Sequence, residues 1–332
     1  MYDPSTDPLE LPVQTLTVDC RAGAPLIFPR HAGATSGTTF NGAFGNAIWD
    51  VGCARRLQGL PACNHERDRC QQPARCPVAW LYKPYSQAHR RTLTRPVLFQ
   101  ATGLETGEPV TAFELHVTLW GRQAVNLRAT IEAALHAMGR RGLGPNGARV
   151  PFVVTGIQAD PPRTLAERAA TLTAANRWRE ALLVFETPFL YRETVTMESG
   201  QREKLFLAGG ALPLAAILGN RAYDLAAWDM EDRERDELDA AVRHDLARQA
   251  RRTAEALAES LRIATCDLQP VDLGARLSKT DGNAFPLRGF IGQVRIAGDL
   301  NPVLPWLLAL ALGGGGQKRA MGLGVVRLWL GP

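Results

Sequence analysis

The order of strand-like and helix-like patterns is the feature that most restricts the fold of this chain. In the first half, segments with alternating apolar residues and segments with helical spacing follow the order strand, helix, strands, helix, strand. That order is typical of a split β-α-β unit of the ferredoxin type. The second half repeats it loosely, although no sequence repeat can be aligned by eye. The sequence therefore predicts an α+β fold with two tandem ferredoxin-like domains.

The two domains are expected over residues 1–160 and 180–332. A long charged helix, or two helices, is expected as an insertion into the second domain over residues 229–262, because this segment is dominated by helix-forming residues and contains no glycine or proline. Two local readings belong to the first domain. Asn41 is a plausible cap of the helix that follows it, and the segment "VAWLY" at residues 78–82 reads as a strand.

Composition places the chain among globular proteins. Apolar residues make up 45% of the 332 residues, and no apolar run reaches the roughly 18–20 residues of a membrane span. The polar, acidic start carries no secretory pattern, so a soluble cytoplasmic protein with no membrane contact is expected. The net charge is +5, and only four of the 38 cations are lysine. Arginine binds phosphate in a bidentate way, but a GC-rich genome also favours arginine, and composition leaves both explanations open.

Four of the six cysteines fall within the loop expected over residues 53–76, together with a histidine. They could close a structural zinc site, but none of their spacings is the short two-to-four-residue knuckle that makes zinc binding a strong prediction. A loop with reduced thiols is the favoured reading, and zinc is the alternative. The four residues concerned are Cys53, Cys63, Cys70 and Cys76.

A glycine-rich loop over residues 313–324 lies between an apolar helix and a final strand. It is not a nucleotide-triphosphate loop, because no Gly-Lys pair exists, no Ser or Thr follows Lys318, and such loops have a strand before and a helix after. Glycines let a ligand approach the main chain, and successive amides can form an anion site. We expect the loop to hold a phosphodiester backbone rather than to be a plain connection. Its candidate residues are Gly314, Gly315, Gly316, Gln317, Lys318 and Arg319.

The charged segment separates its charges, with acids in its first half and cations in its second. The simpler interpretation is a solvated surface helix with mixed signs. Separation of the charges also suits a phosphate backbone, and the other features favour nucleic acid. The cations concerned are Arg248, Arg251 and Arg252, which follow Arg243 and His244.

These features together resemble a known family. The segment "GFIGQVRIAGDL", the leucine-rich helix, the glycine-rich loop and the Gly-x-Gly start of the last strand resemble the C-terminal half of CRISPR-associated RAMP-superfamily proteins that process precursor CRISPR RNA. The N-terminal "NGAFGNAIWD" is similar to a helix of that family. A charged helical insertion in the second domain is similar to the processing nuclease of type IV systems.

The resemblance implies an endoribonuclease that needs no metal or other cofactor. It would bind the CRISPR repeat hairpin, let the 2′-hydroxyl attack the scissile phosphate, and leave 2′,3′-cyclic phosphate and 5′-hydroxyl ends. It would retain the crRNA and join other CRISPR effector subunits. One alternative is a noncatalytic RAMP-fold subunit that binds crRNA. A third reading is a zinc-stabilised RNA chaperone unrelated to CRISPR.

The chain departs from the family at one position. Many members carry a histidine in the "GAFGH" helix, where this chain has Asn46, which cannot titrate. We therefore predict an arginine-led site in which arginines stabilise charge, since arginine stays protonated. A histidine beside them would act as acid or base. The candidates are Arg21, Arg30 and Arg243 for charge stabilisation, and His31 or His244 for proton transfer.

Overall fold

The protein contains two larger antiparallel sheets with helices packed against them. The computed structural model describes residues 7–28, 36–60, 76–82, 85–86, 91–93, 95–101, 104, 107–144, 148–196, 202–206, 212–232, 239–277, 284–319 and 322–332.

The first half of the chain supplies one sheet and its helices. Its elements are a 3-10 turn (Pro8–Glu10), β1 (Pro12–Ile27), α1 (Ser36–Gly52), α2 (Ala54–Leu57), α3 (Pro77–Leu81), β2 (Tyr85–Ser86), β3 (Arg91–Thr92), β4 (Val97–Gln100), β5 (Pro109–Trp120), α4 (Gly121–Asn126), α5 (Arg128–Arg141), β6 (Phe152–Ala159), β7 (Arg163–Thr164) and α6 (Leu165–Ala175). The strand order is β4-β5-β1-β6, with β7 on β1. Without β7, this is the order of a ferredoxin-like unit, with the first strand between the third and the fourth.

The second half supplies the other sheet. Its elements are β8 (Glu180–Phe189), β9 (Arg192–Thr196), β10 (Arg202–Phe206), α7 (Leu214–Asp232), α8 (Ala240–Ala258), β11 (Arg262–Leu277), β12 (Ala284–Ala297), α9 (Leu304–Gly313) and β13 (Val326–Gly331). The strand order β11-β12-β8-β13 repeats that of the first half. The predicted α+β class with tandem ferredoxin-like units is therefore confirmed. The domain limits at residues 160 and 180 stay a prediction.

One hydrophobic core runs through both halves of the chain. Trp80 of α3 meets Trp228 of α7 edge to face, with ring centroids 6.3 Å apart. Gln100 at the end of β4 donates from Nε2 to the carbonyl oxygen of Ala311 in α9. Because apolar and polar contacts both cross between the halves, residues from one half can fix the position of residues in the other.

Two local readings of the first domain are wrong. Asn41 lies inside α1, five residues after its start, and its Nδ2 donates to the carbonyl oxygen of Gly37, so it does not cap the helix. Residues 78–82 form most of α3 and its end rather than a strand. Pro77 occupies the first turn of α3, where its missing N–H costs no hydrogen bond.

The charged segment 229–262 falls on two helices. It begins in the last turn of α7 and continues through α8, where Asp239 caps the helix by accepting from the amide of Ala241 at 2.7 Å. Ala247 and Ala254 are buried on α8, and small side chains of this kind allow helices to approach closely. A Cβ added at Gly219 of α7 would lie 2.5 Å from the side chain of Glu255, which shows how close α7 and α8 are. A ferredoxin-like unit has one helix between its first and second strands, whereas this unit has α7 and α8 there. This supports the proposal that α8 is an insertion.

Candidate functional site

A cleft of about 420 Å³ opens between α7, α8, the end of β8 and the glycine-rich loop. Among the described residues that line it, four are arginines and Asp224 is the acidic one. Such a balance favours anionic ligands. The lining residues are Leu190, Tyr191, Arg192, Ile217, Asn220, Arg221, Tyr223, Asp224, Arg251, Gly315, Gly316, Gln317 and Arg319.

The glycines of the loop are required by close packing. A Cβ at Gly313 would lie 1.8 Å from Nη2 of Arg221, and one at Gly315 would lie 2.5 Å from Leu310. Gly316 has φ of 69° and faces the carbonyl oxygen of Leu190. The run of glycines therefore brings the loop against α7 and the end of β8, which shapes the wall of the cleft.

Several loop amides are already used inside the protein. The amide of Gly315 donates to the carbonyl oxygen of Gly324 at 2.9 Å, and that of Gln317 donates to Leu190 at 2.7 Å. These two amides do not form an open anion cradle. The predicted RNA-binding role of Gly314, Gly315, Gly316 and Gln317 stays a prediction, and packing already explains the glycines. Gln317 and Lys318 are exposed, with Lys318 at φ of 61°.

Two buried arginines and one aspartate form the floor of the cleft. Arg319 is 6% exposed and pairs with the Oδ2 oxygen of Asp224. Arg221 is 4% exposed, and its guanidinium lies over the ring of Trp120 at 4.7 Å from the centroid. Its Nε donates to the carbonyl oxygen of Ala309 at 3.2 Å. These contacts fix both guanidinium groups, so Arg319 is an internal residue rather than a mobile surface clamp.

Burial lowers the pKa of Arg221 well below its usual value. The neighbouring charge of Arg319 lowers it further, and the carboxylate of Asp224 raises it. Arginine nevertheless stays protonated in proteins. The direction of the shift shows that one carboxylate does not offset the burial and repulsion of the two cations.

The remaining cations of this region lie nearer the solvent. Arg251 pairs with Glu255 of its own helix at 2.7 Å, and its side chain is 43% exposed. Arg192 donates from Nη2 to the carbonyl oxygen of Pro286. Arg248 pairs with Asp245 at 3.0 Å, and Arg252 is exposed on the same helix. Of the three arginines predicted on α8, Arg251 lines the cleft, while Arg248 and Arg252 present charge on the helix surface.

A tyrosine and a histidine meet beside the cleft. The Tyr223 hydroxyl lies 3.0 Å from Nδ1 of His244, within hydrogen-bond distance. Tyr223 lines the cleft, and His244 is half-buried on α8. The predicted candidate His244 therefore stands one side chain away from the arginine cluster, where it could exchange a proton with a bound ligand through Tyr223.

The other predicted catalytic residues are not brought to this cleft. Arg243 is buried, with 5% exposure, and Arg21 is exposed on β1; neither lines the cleft. Arg30 and His31 lie outside the described residues. Asn46 is exposed on α1, where its Nδ2 donates to the carbonyl oxygen of Gly42 at 3.1 Å.

Four residues of the cleft were not predicted from the sequence: Arg192, Arg221, Tyr223 and Asp224. For the three on α7 the available signal was the run "GNRAYD", which places opposite charges three residues apart in a stretch, residues 214–228, that has no other charge. Charged residues in such a helix are rarely buried unless they are paired, so the pattern marks a site.

No group of three or more side chains able to ligate a metal occurs among the described residues. Cys53 and Cys76 are buried, whereas Cys63 and Cys70 lie outside the part of the chain that the structure describes. In that same part, no helix has the length and apolar character needed to cross a membrane.

Comparison with known proteins adds a family and a fold. The family described as AF_1859_N, an N-terminal domain, matches residues 11–178, about half of the chain. The chain belongs to the AF_1859_N family. The AF_1859_N match spans the first sheet and ends before the residues that line the cleft. A search of curated proteins found no match.

Solved structures match along nearly the whole chain. The structure described as "Cas6 (TTHB231) product complex" is 16% identical with a TM-score of 0.50, over 96% of this chain and 99% of that one. "Cas6 (TTHA0078) product complex" is 15% identical with a TM-score of 0.49, over 96% and 99%. A Cas6-related protein from Pyrococcus furiosus is 11% identical with a TM-score of 0.44, over 96% and 98%. At these identities the likeness is one of fold, and the first of these structures carries it.

Proposed function

We propose that this protein binds precursor CRISPR RNA at the repeat hairpin and cleaves it without a metal ion. The observation that carries the proposal is the cleft lined by four arginines, two of them buried, in a fold similar to that of a Cas6 product complex. Arginine forks match phosphate oxygens, and buried ones hold them in a fixed geometry. The mature crRNA stays bound and joins other CRISPR effector subunits. The type IV assignment stays a prediction.

The reaction is an internal transesterification. The 2′-oxygen forms a bond to phosphorus as the bond from phosphorus to the 5′-oxygen breaks, which yields a cyclic phosphate and a 5′-hydroxyl. The arginines of the cleft stabilise the extra negative charge of the phosphorane. In this proposal the pair of Tyr223, which lines the cleft, and His244, within hydrogen-bond distance of it, takes the proton from the 2′-hydroxyl and returns a proton to the leaving 5′-oxygen.

A second candidate function is a noncatalytic crRNA-binding subunit. The specific observation in its favour is Asn46, which stands on the exposed face of α1 and cannot accept or donate a proton in the neutral range. Incubating the pure protein with a repeat-containing transcript in EDTA separates the two. Cleavage at one position to a cyclic-phosphate end supports the nuclease. Tight binding with intact RNA supports the subunit. If the protein neither cleaves nor binds the RNA, both candidate functions are wrong.

RNA affinity should depend on Arg251. Alanine at this position removes a cation at the edge of the cleft, so the Kd for repeat RNA should rise about tenfold or more. The slope of log Kd against log salt concentration should decrease by about 1, the change expected for the loss of one phosphate contact. Fluorescence anisotropy at several salt concentrations measures both.

Arg288→Ala is the matched control for Arg251→Ala. Arg288 also pairs with a carboxylate, Asp272, at 2.9 Å, but it does not line the cleft. Equal losses of affinity in the two variants would mean that RNA binding reflects general surface charge and not the cleft.

Cleavage should depend on His244 more than binding does. His244→Ala should slow single-turnover cleavage by about 100-fold or more, since proton transfer by a positioned side chain contributes roughly that much. The Kd for RNA should stay within about threefold, because the arginine cluster remains. His136→Ala, an exposed histidine on α5, is the control. A rate for His244→Ala equal to that control would remove His244 from the mechanism.

A further inference from the structure

The charge of the buried cluster is not balanced by the residues that form it. Arg221 and Arg319 are both almost fully buried, and Asp224 is the acidic residue between them. Burying a charge that lacks a counter-charge is expensive, so a site of this kind is completed by an anion.

The donors of Arg221 are arranged for a ligand from the cleft. One face of its guanidinium is covered by Trp120, and its Nε donates to Ala309. Within the described part of the chain, this is the one hydrogen bond to protein that Arg221 makes. Its terminal nitrogens carry the remaining N–H groups; Nη2 packs against Gly313, and the guanidinium fork is the group that matches the oxygens of a phosphate.

We propose that Arg221 and Arg319 form a subsite for a single phosphate group on the floor of the cleft, with Asp224 holding Arg319 in place. The ligand is a phosphate oxyanion, either a phosphodiester of bound RNA or a free phosphate. The inference deepens the proposed function by naming the group that the cleft holds, and it rests on that function only for the RNA source. The subsite itself requires no cleavage.

Occupancy of the subsite acts on both halves of the chain. Arg221 belongs to α7 and stacks on Trp120 at the end of β5, while Arg319 belongs to the glycine-rich loop. A phosphate that bridges the two arginines therefore connects the loop to a helix that is already anchored on the first sheet. Because the ligand binds the folded state and not the unfolded chain, it must raise the unfolding temperature.

Thermal unfolding in inorganic phosphate tests the subsite. The melting temperature of the wild-type protein is measured from 0 to about 20 mM sodium phosphate, with sodium chloride holding the ionic strength constant. A rise of about 2 °C or more is expected, which is the shift for a ligand well above its Kd in a chain of this size. No rise above the chloride series would overturn the proposal, and this arm needs no variant.

Variants locate the phosphate. Arg319→Gln should lose the phosphate-dependent rise in melting temperature, whereas Arg327→Gln should keep it. Arg327 lies on β13, pairs with Glu186 of β8 and does not line the cleft. A rise of equal size in Arg319→Gln would overturn the proposal. Arg221→Gln is a second variant with the same expectation, so a folding failure of either one leaves the test in place.

Competition distinguishes the two sources of phosphate. If the subsite holds an RNA phosphodiester, inorganic phosphate at constant ionic strength should raise the Kd for repeat RNA in the wild type and not in Arg319→Gln. A phosphate-dependent melting shift without competition identifies a free phosphate as the ligand. If RNA is neither bound nor cleaved while the melting shift is present, the proposed function fails and the subsite stands.

Discussion

Asparagine in place of Asp224 should lower the free energy of unfolding by about 3 kcal/mol. The change keeps the shape of the side chain and removes the negative charge that pairs with the buried Arg319 and lies close to the buried Arg221. Breaking a buried ion pair from one side costs about 3–5 kcal/mol, and the lower end applies because the Asp224 side chain is 27% exposed. Urea unfolding followed by circular dichroism measures the loss as a shift of the midpoint at constant slope.

Asp272→Asn is the matched control for that loss. Asp272 also accepts from an arginine, Arg288, at 2.9 Å, but both side chains are more than half exposed. Exposed pairs contribute little, so no measurable change is expected. If Asp224→Asn were as harmless as the control, the buried arginines would not depend on the aspartate, and the charge argument for the cleft would fail.

The architecture could be predicted because it depends on patterns of apolar residues. Strands such as β8 bury alternate side chains, and α9 is a continuous apolar run between Pro302 and Gly313. These periodicities belong to the local sequence and need no knowledge of the partner element. The same reasoning failed for α3, where five residues with apolar and aromatic side chains fit a short buried helix as well as a strand.

Strand β11 shows why an edge strand is hard to predict from the pattern of apolar residues. Its residues are mostly exposed, and it contains Pro270 opposite Phe290. An edge strand tolerates proline, since one of its sides has no hydrogen-bonded neighbour, and it buries too little to show alternation. The alternation that marks a half-buried strand is therefore missing from its sequence.

The cleft could be predicted only in part, because its parts are far apart in the chain. Arg221 and Arg319 are almost 100 residues apart, and Trp120 lies a further 100 residues before them. The glycine loop and Arg251 could be identified from the sequence, since both lie in segments of unusual composition. The inward orientation of Arg319 toward Asp224 could not, because it follows from tertiary packing of the loop against α7.

The glycine loop itself gives the second large effect, at Gly324. Gly324 has φ of 75°, and a Cβ there would lie 1.9 Å from the carbonyl oxygen of Gly315. Alanine therefore adds a left-handed backbone cost of about 1–2 kcal/mol and an overpacking cost of about 1–3 kcal/mol, so a total loss near 3 kcal/mol is expected in urea unfolding. The affinity of Gly324→Ala for RNA should also fall, since the loop forms a wall of the cleft.

Gly42→Ala makes the same chemical change where the structure has room. Gly42 lies inside α1, and a Cβ there meets nothing within 4 Å. Alanine is the better helix former by about 0.5–1 kcal/mol, so this variant should be more stable than the wild type. A lower free energy of unfolding for Gly324→Ala and a higher one for Gly42→Ala would show that close backbone contact requires the loop glycine. A loss at Gly324 no larger than the change at Gly42 would instead describe a loose loop, and the fixed geometry of Arg319 would lose its support.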